Sequence, residues 1–172
     1  MNCFNIPKHN NSPRVVNAVI EIEKGSSTKY EYDEVLGVFR YDRDLDSAMA
    51  YPANYGSIPG TLCEDGDPLD ILIISEQPIS KGTLVEARPL GVLDMDDDGE
   101  KDYKVLAVPT STRRRYRNLD DVDPLFRRIS RNFFAHYKDL ENKKVVVGKW
   151  LNKQTAYTII NESIEFYNKQ ND

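Results

Sequence analysis

The stretch EDGDPLDIL at residues 64–72 crowds four carboxylates against an apolar segment. Its glycine and proline favour a turn, and the apolar residues that follow favour a buried strand. The chain is therefore predicted to fold Asp65 and Asp67 back beside Asp70, at the mouth of that strand. An acidic loop in solvent is the ordinary alternative. Converging carboxylates repel each other unless a cation lies among them, so the pattern favours a hard divalent ion with oxygen ligands.

Length and composition are those of a compact globular protein. The chain has 172 residues, of which 40% are hydrophobic and 30% are charged. A chain of this size can bury a core without disulfides or metal, so we expect one domain over residues 1–172. The N-terminal sequence MNCFNIPKHNNSPR has no apolar signal-peptide core, and no segment approaches the roughly 20 apolar residues of a membrane span. A cytoplasmic location without membrane contact is expected.

The side chains available for metal binding are mostly carboxylates. Cys3 and Cys63 have neither the spacing of a zinc or redox site nor the density of a disulfide scaffold. His9 and His136 are the only histidines, which makes a histidine-rich zinc or copper site hard to build. Any bound metal should therefore be oxygen-loving. The net charge of −5 also argues against a dedicated nucleic-acid binder.

The order of strand and helix patterns predicts an α+β fold. Segments rich in Val, Ile, Tyr and Phe predict strands at residues 15–22, 29–32, 35–41, 70–75, 83–94, 103–108 and 144–150. Polar and apolar residues alternate in the later strands, which favours a closed or half-closed barrel. Asp123 and Pro124 are typical of a helix start, and apolar residues recur at helical spacing to Leu140. A second amphipathic helix is predicted at residues 152–168, so two C-terminal helices should pack outside the barrel.

A second acidic stretch, LDMDDDGEKDYK at residues 93–104, precedes another predicted strand. Its D-x-D-x-D-G pattern, which begins at Asp94, matches the start of an EF-hand calcium loop. The twelfth position of such a loop should be a bidentate glutamate but is Val105, and the flanks are predicted strands rather than helices. We therefore reject the EF-hand. The two acidic strand ends can instead share one site.

Basic and hydroxyl side chains occur at intervals along the chain. They are Lys29, Arg43, Lys104 and Lys138, with Tyr51, Tyr55 and Tyr137. Taken singly, each could be an ordinary surface or core residue. Combined with carboxylates that bind Mg²⁺, they are what a phosphate ester or anhydride requires. Metal and cations neutralise the phosphoryl oxygens, while hydroxyls position them.

Several short motifs accompany the acidic stretch D-G-D-P-L-D at residues 65–70. They are E-I at 21–22, K-Y-E at 29–31, D-R at 42–43, Y-P-A-N-Y-G at 51–56, D-Y-K at 102–104 and H-Y-K-D-L at 136–140. Their order resembles the soluble inorganic pyrophosphatases, a metal-dependent family with a five-stranded, OB-like β-barrel. The family's signature of three aspartates corresponds to residues 65–70. The resemblance extends over residues 15–150 and is to the short bacterial members.

The resemblance implies a role for each matching residue. The implied metal ligands, direct or through water, are Asp65, Asp70, Asp97, Asp102, Glu21 and Glu31. The implied substrate-binding residues are Lys29, Arg43, Lys104, Tyr137 and Lys138. Asp67 is implied as the general base, and Tyr55 as a residue that orders the site.

The activity implied by the resemblance is hydrolysis of inorganic pyrophosphate to two orthophosphates. Pyrophosphate and its nucleophile are both electron-rich, so the enzyme must generate hydroxide at neutral pH and neutralise the oxygens that it approaches. A hydroxide that bridges several Mg²⁺ ions held by the carboxylates would satisfy the first need, with Mn²⁺ or Zn²⁺ as substitutes. The family also implies a homo-oligomer, namely a hexamer.

Two other functions fit parts of the sequence. A small OB-like barrel can bind nucleic acid, and the run Arg113–Arg117 is basic and contains a tyrosine. Two acidic clusters would repel a nucleic-acid backbone, however, so the run is interpreted as a solvated or subunit-facing loop. A purely structural metal site in an interaction protein is the second alternative. Such a site does not need the matching set of Lys, Arg and Tyr side chains.

Overall fold

The computed structural model describes residues 5–33, 35–112 and 116–171. The strands are β1 Val16–Ile22, β2 Thr28–Asp33, β3 Val38–Asp44, β4 Asn54–Ser57, β5 Asp70–Ile73, β6 Leu84–Asp97, β7 Glu100–Lys101, β8 Lys104–Pro109 and β9 Val145–Asn152. The helices are α1 Pro124–His136 and α2 Lys153–Asn171, with a short 3-10 turn at Leu119–Asp121.

Five strands close into a barrel. Strand β1 pairs with β4, β4 with β5, and β8 with β6, all antiparallel, while β5 and β8 run parallel. A further antiparallel pairing of β6 with β1 closes the ring. From Gly91 onward, the long strand β6 also pairs with β9, and its end, beyond the barrel, pairs with β7. This is the predicted α+β class with an OB-like barrel and peripheral strands.

The core consists of two apolar clusters that meet at the barrel wall. Ile71 of β5 packs in the cluster that includes Ile160 of α2. Leu72, which points to the opposite face of the same strand, packs in the cluster that includes Phe133 and Phe134 of α1. Because β5 is buried on both faces, it reads as a continuous apolar run rather than an alternating one. The two helices therefore cover the barrel from different sides.

Strands β2 and β3 form a two-stranded sheet of their own. Lys81, in the loop before β6, lies over the Tyr30 ring at 3.2 Å from its centroid. Lysine over a tyrosine face is an attractive cation–π contact. This β2–β3 hairpin carries Lys29, Glu31 and Arg43, so its attachment to the barrel bears directly on the site.

The element boundaries differ from the sequence predictions in places with physical causes. Strand β3 begins at Val38 rather than at residue 35, because the turn before it places Gly37 at φ +68°. Helix α1 ends at His136 rather than continuing to Leu140. Strand β4 was not predicted, since N-Y-G-S offers only four residues and includes a glycine.

The segment considered for an EF-hand is a β-hairpin. Asp96 pairs with Lys101 and Asp97 with Glu100, which leaves a two-residue loop between β6 and β7. Both loop residues have positive φ, 50° at Asp98 and 87° at Gly99. Asp-Gly suits the tight turn that joins antiparallel strands. The rejection of the EF-hand is therefore confirmed.

Some of the residues named from the sequence lie outside the described ranges. They are Cys3 and the arginines at 113–115.

Within the described ranges, no helix is long and apolar enough to cross a membrane.

Candidate active site

A cleft of about 460 Å³ opens beside the barrel. It is lined by every predicted site residue except Arg43, namely Glu21, Lys29, Glu31, Tyr55, Asp65, Asp67, Asp70, Asp97, Asp102, Lys104, Tyr137 and Lys138. These residues come from distant parts of the sequence, and pairing of the strands brings them together. Their roles remain predictions, but their convergence on one cleft is an observation.

The loop before β5 brings two of the signature aspartates to the cleft. Its Gly66 has φ +90°, a conformation that glycine adopts without strain. The Asp67 amide donates to Asp65 Oδ1 at 3.0 Å, and the Cys63 amide donates to the Asp67 carbonyl at 2.8 Å. Asp70 is the first residue of β5 and lies opposite Lys104 of the parallel strand β8. Asp65, Asp67 and Asp70 therefore all line the same cleft.

Lys104 lies at the centre of the carboxylates. Its side chain is 3% exposed and forms ion pairs with both Asp70 and Asp102. Its ammonium also donates to the Tyr55 hydroxyl at 3.3 Å. Burial alone would lower the pKa of this lysine, but the two carboxylates outweigh burial and hold the pKa well above its ordinary value. Lys104 is thus a permanent cation in the cleft.

The second acidic stretch reaches the cleft through Asp97 and Asp102. Asp97, at the end of β6, forms an ion pair with Lys138 through Oδ2. The other oxygen of Asp97, Oδ1, is buried and has no hydrogen-bond partner among the described residues. A buried carboxylate oxygen without a partner is costly. It therefore marks a position where a cation would be favourable.

The carboxyl groups around the cleft hold more negative charge than the lysines compensate. Burial and then the charge of Asp70 raise the pKa of Glu21 to about 8, although the Ser57 hydroxyl donates to Glu21 Oε1 at 2.7 Å and opposes the rise. Burial also raises the pKa of Asp102, with a further contribution from Asp70 that the adjacent Lys104 opposes. Raised carboxyl pKa values report poorly solvated, mutually repelling charges.

Aromatic side chains form one wall of the cleft. The ring centroids of Tyr51 and Tyr55 are 5.4 Å apart, and that of Phe134 lies 6.3 Å from Tyr55 and 5.5 Å from Tyr137. Burial raises the pKa of all three tyrosine hydroxyls, so they remain protonated donors at neutral pH. The wall can therefore hold an anion by hydrogen bonds without adding charge.

Arg43 is held beside the cleft by two carboxylates. It donates to Asp42 Oδ2 at 2.6 Å and makes a bidentate contact with Glu141, with Nη2 at 2.8 Å from both carboxylate oxygens. Sequence reasoning did not select Glu141, and no motif marks it. It also did not select Ser57, Lys101 or Lys143, which, unlike Glu141, line the cleft.

Comparison with known proteins bears on what such a cleft does. The sequence family described as inorganic pyrophosphatase matches residues 18–168. The inorganic pyrophosphatase of Aeropyrum pernix is 44% identical over 170 residues, covering 96% of this chain and 97% of that protein. The chain belongs to the inorganic pyrophosphatase family.

Other members of the inorganic pyrophosphatase family match at similar levels. Soluble inorganic pyrophosphatase 4 of Arabidopsis thaliana is 41% identical over 158 residues, covering 91% of this chain and 73% of that protein. The crystal structure of inorganic pyrophosphatase from Thermus thermophilus superposes with a TM-score of 0.94 at 39% identity, covering 98% of this chain and 99% of the other. The enzyme from Helicobacter pylori gives a TM-score of 0.90 at 37% identity over 95% of this chain and 99% of the other. Sequence and fold therefore agree on the family.

Membership of the inorganic pyrophosphatase family implies dependence on divalent metal ions. Among the described residues, no three carboxylate, histidine or cysteine side chains stand together as a ready metal site. Lys104 and Lys138 instead lie directly against Asp70, Asp97 and Asp102. The donor set nevertheless fits a hard cation, because its members are carboxylates and the buried Asp97 Oδ1 lacks a partner. A bound cation would compete with the ammonium groups of Lys104 and Lys138 for these oxygens.

Proposed function

We propose that the chain, acting as one catalytic domain over residues 1–172, hydrolyses inorganic pyrophosphate to two orthophosphates in this cleft. The observation that carries the proposal is the meeting of two opposite sets of groups in one cleft. Carboxylates suited to a divalent cation lie against ammonium and phenol donors suited to phosphoryl oxygens. A site that bound only a structural metal would not need the second set.

The residues proposed to hold the metal are carboxylates from four segments of the chain. They are Asp65, Asp70, Asp97 and Asp102, with Glu21 and Glu31 acting through water. Bound Mg²⁺, or Mn²⁺ or Zn²⁺ in its place, would lower the pKa of a bound water and neutralise phosphoryl oxygens. Mg²⁺ acidifies water less than Zn²⁺ does, so several ions and a carboxylate acceptor would be needed. The raised carboxyl pKa values of Glu21 and Asp102 support this assignment. Burial raises them first and the charge of Asp70 adds to it, and a nearby dication would stabilise the ionised carboxylates against both effects.

Asp67 is proposed as the general base. Its position in the turn puts it at the cleft between Asp65 and Asp70, two of the proposed ligands. A carboxylate there can accept the proton of the attacking water at the moment that oxygen approaches phosphorus. Tyr55 accepts a hydrogen bond from Lys104 through its hydroxyl. It would thereby hold that lysine, and the carboxylates that the lysine contacts, in position.

The cationic and phenolic groups are proposed to bind the two phosphoryl groups of the substrate. Lys104 and Tyr137 lie on the barrel and helix side of the cleft, whereas Lys29 lies on the hairpin side. Together with Arg43 and Lys138 they would neutralise charge as the leaving phosphate forms. Charge-assisted bonds to phosphate oxygens are stronger than neutral ones.

A homo-oligomer, specifically a hexamer, is proposed by likeness to the family. Exposed apolar side chains on α1, Leu125 and Ile129, are compatible with a covered face. The cytoplasmic location, and the absence of a nucleic-acid or membrane partner, stay predictions from the sequence. So does the interpretation of Arg113–Arg117, of which only Tyr116 and Arg117 are described.

Substitution of Lys29 tests the proposed function. Lys29→Ala should lower kcat/KM for pyrophosphate by about 10- to 100-fold, the loss expected for one charge-assisted contact. The circular dichroism spectrum and the Tm should be unchanged. Lys169→Ala, at an exposed lysine in the last turn of α2, is the matched control. Wild-type kinetics in Lys29→Ala would contradict the assignment of the cleft as the pyrophosphate site.

A further inference from the structure

The β2–β3 hairpin faces the turn after α1 across the cleft. In the described part of the chain, β2 and β3 pair only with each other and not with the barrel. The hairpin carries Lys29, and the turn after α1 carries Lys138. Strand pairing therefore does not fix the distance between these two lysines. Contacts such as that of Lys81 with Tyr30 attach the hairpin to the barrel side, and side-chain contacts with the turn after α1 hold it on the other side.

The ion pair between Arg43 and Glu141 joins the hairpin to the turn after α1 through three hydrogen bonds. Arg43 Nε donates to Glu141 Oε1 at 3.0 Å, and Nη2 donates to Oε1 and Oε2 at 2.8 Å each. The Glu141 side chain is only 11% exposed, and that of Arg43 is 28% exposed. A bidentate arginine–carboxylate pair fixes orientation as well as distance. Partial burial also reduces the screening that weakens surface ion pairs.

Further contacts extend from this pair to the lysine on each side of the cleft. On the hairpin side, Arg43 Nη1 donates to Asp42 Oδ2 at 2.6 Å, and the same Asp42 oxygen lies 3.3 Å from Lys29 Nζ. On the other side, the Glu141 amide donates to the Lys138 carbonyl at 2.9 Å. Lys29 and Lys138 are thus the two ends of one continuous set of contacts.

We infer that Glu141 is a positioning residue for pyrophosphate binding, which acts through Arg43 to set the separation of Lys29 and Lys138. This inference rests on the proposed function, because it takes both lysines to contact the substrate. Glu141 itself does not line the cleft and does not touch the reacting atoms. Its loss should therefore weaken substrate binding more than it slows the chemical step.

The test is steady-state pyrophosphate hydrolysis by Glu141→Ala, Arg43→Ala and the double variant, each with saturating Mg²⁺. We expect Glu141→Ala to raise KM about ten-fold while kcat changes by less than about two-fold. Glu141→Asp, which keeps the carboxylate, should recover most of the loss. In the Arg43→Ala background, Glu141→Ala should add nothing, because its effect passes through Arg43.

Asp33→Asn is the matched control. Asp33 pairs with Arg40 at 3.1 Å on the same hairpin, remote from Glu141, so KM should stay at the wild-type value. A wild-type KM in Glu141→Ala would overturn the inference, as would a ten-fold loss that persists in the Arg43→Ala background. If the inference alone fails, Lys29→Ala still impairs hydrolysis. If Lys29→Ala has wild-type kinetics, the proposed function has failed instead.

Discussion

At the scale of single residues, the proposed general base, Asp67, gives the most direct test of the chemistry. We expect Asp67→Asn to keep the turn, because the Asp67 amide and carbonyl make the turn's hydrogen bonds. The variant removes the proton acceptor, so kcat should fall by about 100- to 10,000-fold. The Kd for Mg²⁺, measured by calorimetry, should change little. Glu64→Gln in the same loop is the control, and a parallel loss of metal affinity and turnover would count against the base.

The raised pKa of Glu21 predicts a pH-dependent stability of the metal-free protein. Folding raises this pKa from an ordinary value near 4.5 to about 8. The folded state therefore favours protonated Glu21, and its stability falls as pH rises through this interval. Glu21→Gln removes the titration and can still accept the Ser57 hydrogen bond. In chelator, the variant should have nearly the wild-type Tm at pH 5 and a higher Tm at pH 9.

The size and control of this effect can be stated. A Tm gain of several degrees at pH 9 is expected, since each kcal/mol shifts the Tm of a chain this long by about 2–4 °C. Glu76→Gln, at an exposed carboxylate remote from the cleft, should shift the Tm equally little at both pH values. The same Tm difference for Glu21→Gln at pH 5 and pH 9 would contradict the pKa assignment.

Residues that act through a partner side chain could not be predicted from the sequence. Glu141 contacts Arg43 across 98 positions of the chain, and only the folded structure reveals that pair. Ser57 reaches Glu21 because β1 pairs with β4. The placement of Asp65, Asp67 and Asp70 at one cleft, by contrast, could be predicted from their spacing in the sequence.

At the scale of elements, Gly56 decides whether β4 can complete the barrel. A Cβ on Gly56 would lie 1.9 Å from the Val19 carbonyl oxygen of β1. The neighbours of Gly56 in the chain, Tyr55 and Ser57, both line the cleft. Gly56→Ala should therefore lower the Tm by more than about 10 °C, a loss of several kcal/mol, and reduce pyrophosphate hydrolysis with it.

A second glycine provides the comparison for this prediction. Gly99, in the β6–β7 turn, has φ +87° and open space around its Cβ position. Asparagine tolerates positive φ better than most residues, so Gly99→Asn should cost far less. Thermal unfolding followed by circular dichroism measures both variants. A Tm for Gly56→Ala equal to that of Gly99→Asn would show that the β1–β4 approach is looser than described.

The same strand shows why some elements escaped sequence analysis. Long segments such as β6 and α2 carry enough periodicity to be recognised. The four residues of β4 do not, because their strand character comes from the neighbours that they pair with. The end of α1 was misplaced for a similar reason. Leu140 continues the apolar spacing, but it lies in the turn after α1 and is exposed.

At the scale of the whole molecule, the cleft is assembled from segments that are far apart in the sequence. Local chemistry predicted a metal loop and a set of anion-binding residues, but it gave no distances between them. The family resemblance supplied that arrangement, and the barrel closure through β6 and β1 accounts for it physically. The two-sided cleft, with the hairpin opposite the turn after α1, was visible only in the structure.

The central claim is that the protein hydrolyses pyrophosphate in this cleft and needs a divalent metal ion to do so. The most direct measurement is phosphate release by the purified protein from pyrophosphate, ATP and a phosphomonoester, each with Mg²⁺ and with chelator. Rapid release from pyrophosphate that requires Mg²⁺ and greatly exceeds release from the other two substrates is the predicted result. Absence of phosphate release from pyrophosphate with Mg²⁺, Mn²⁺ or Zn²⁺ would contradict the account.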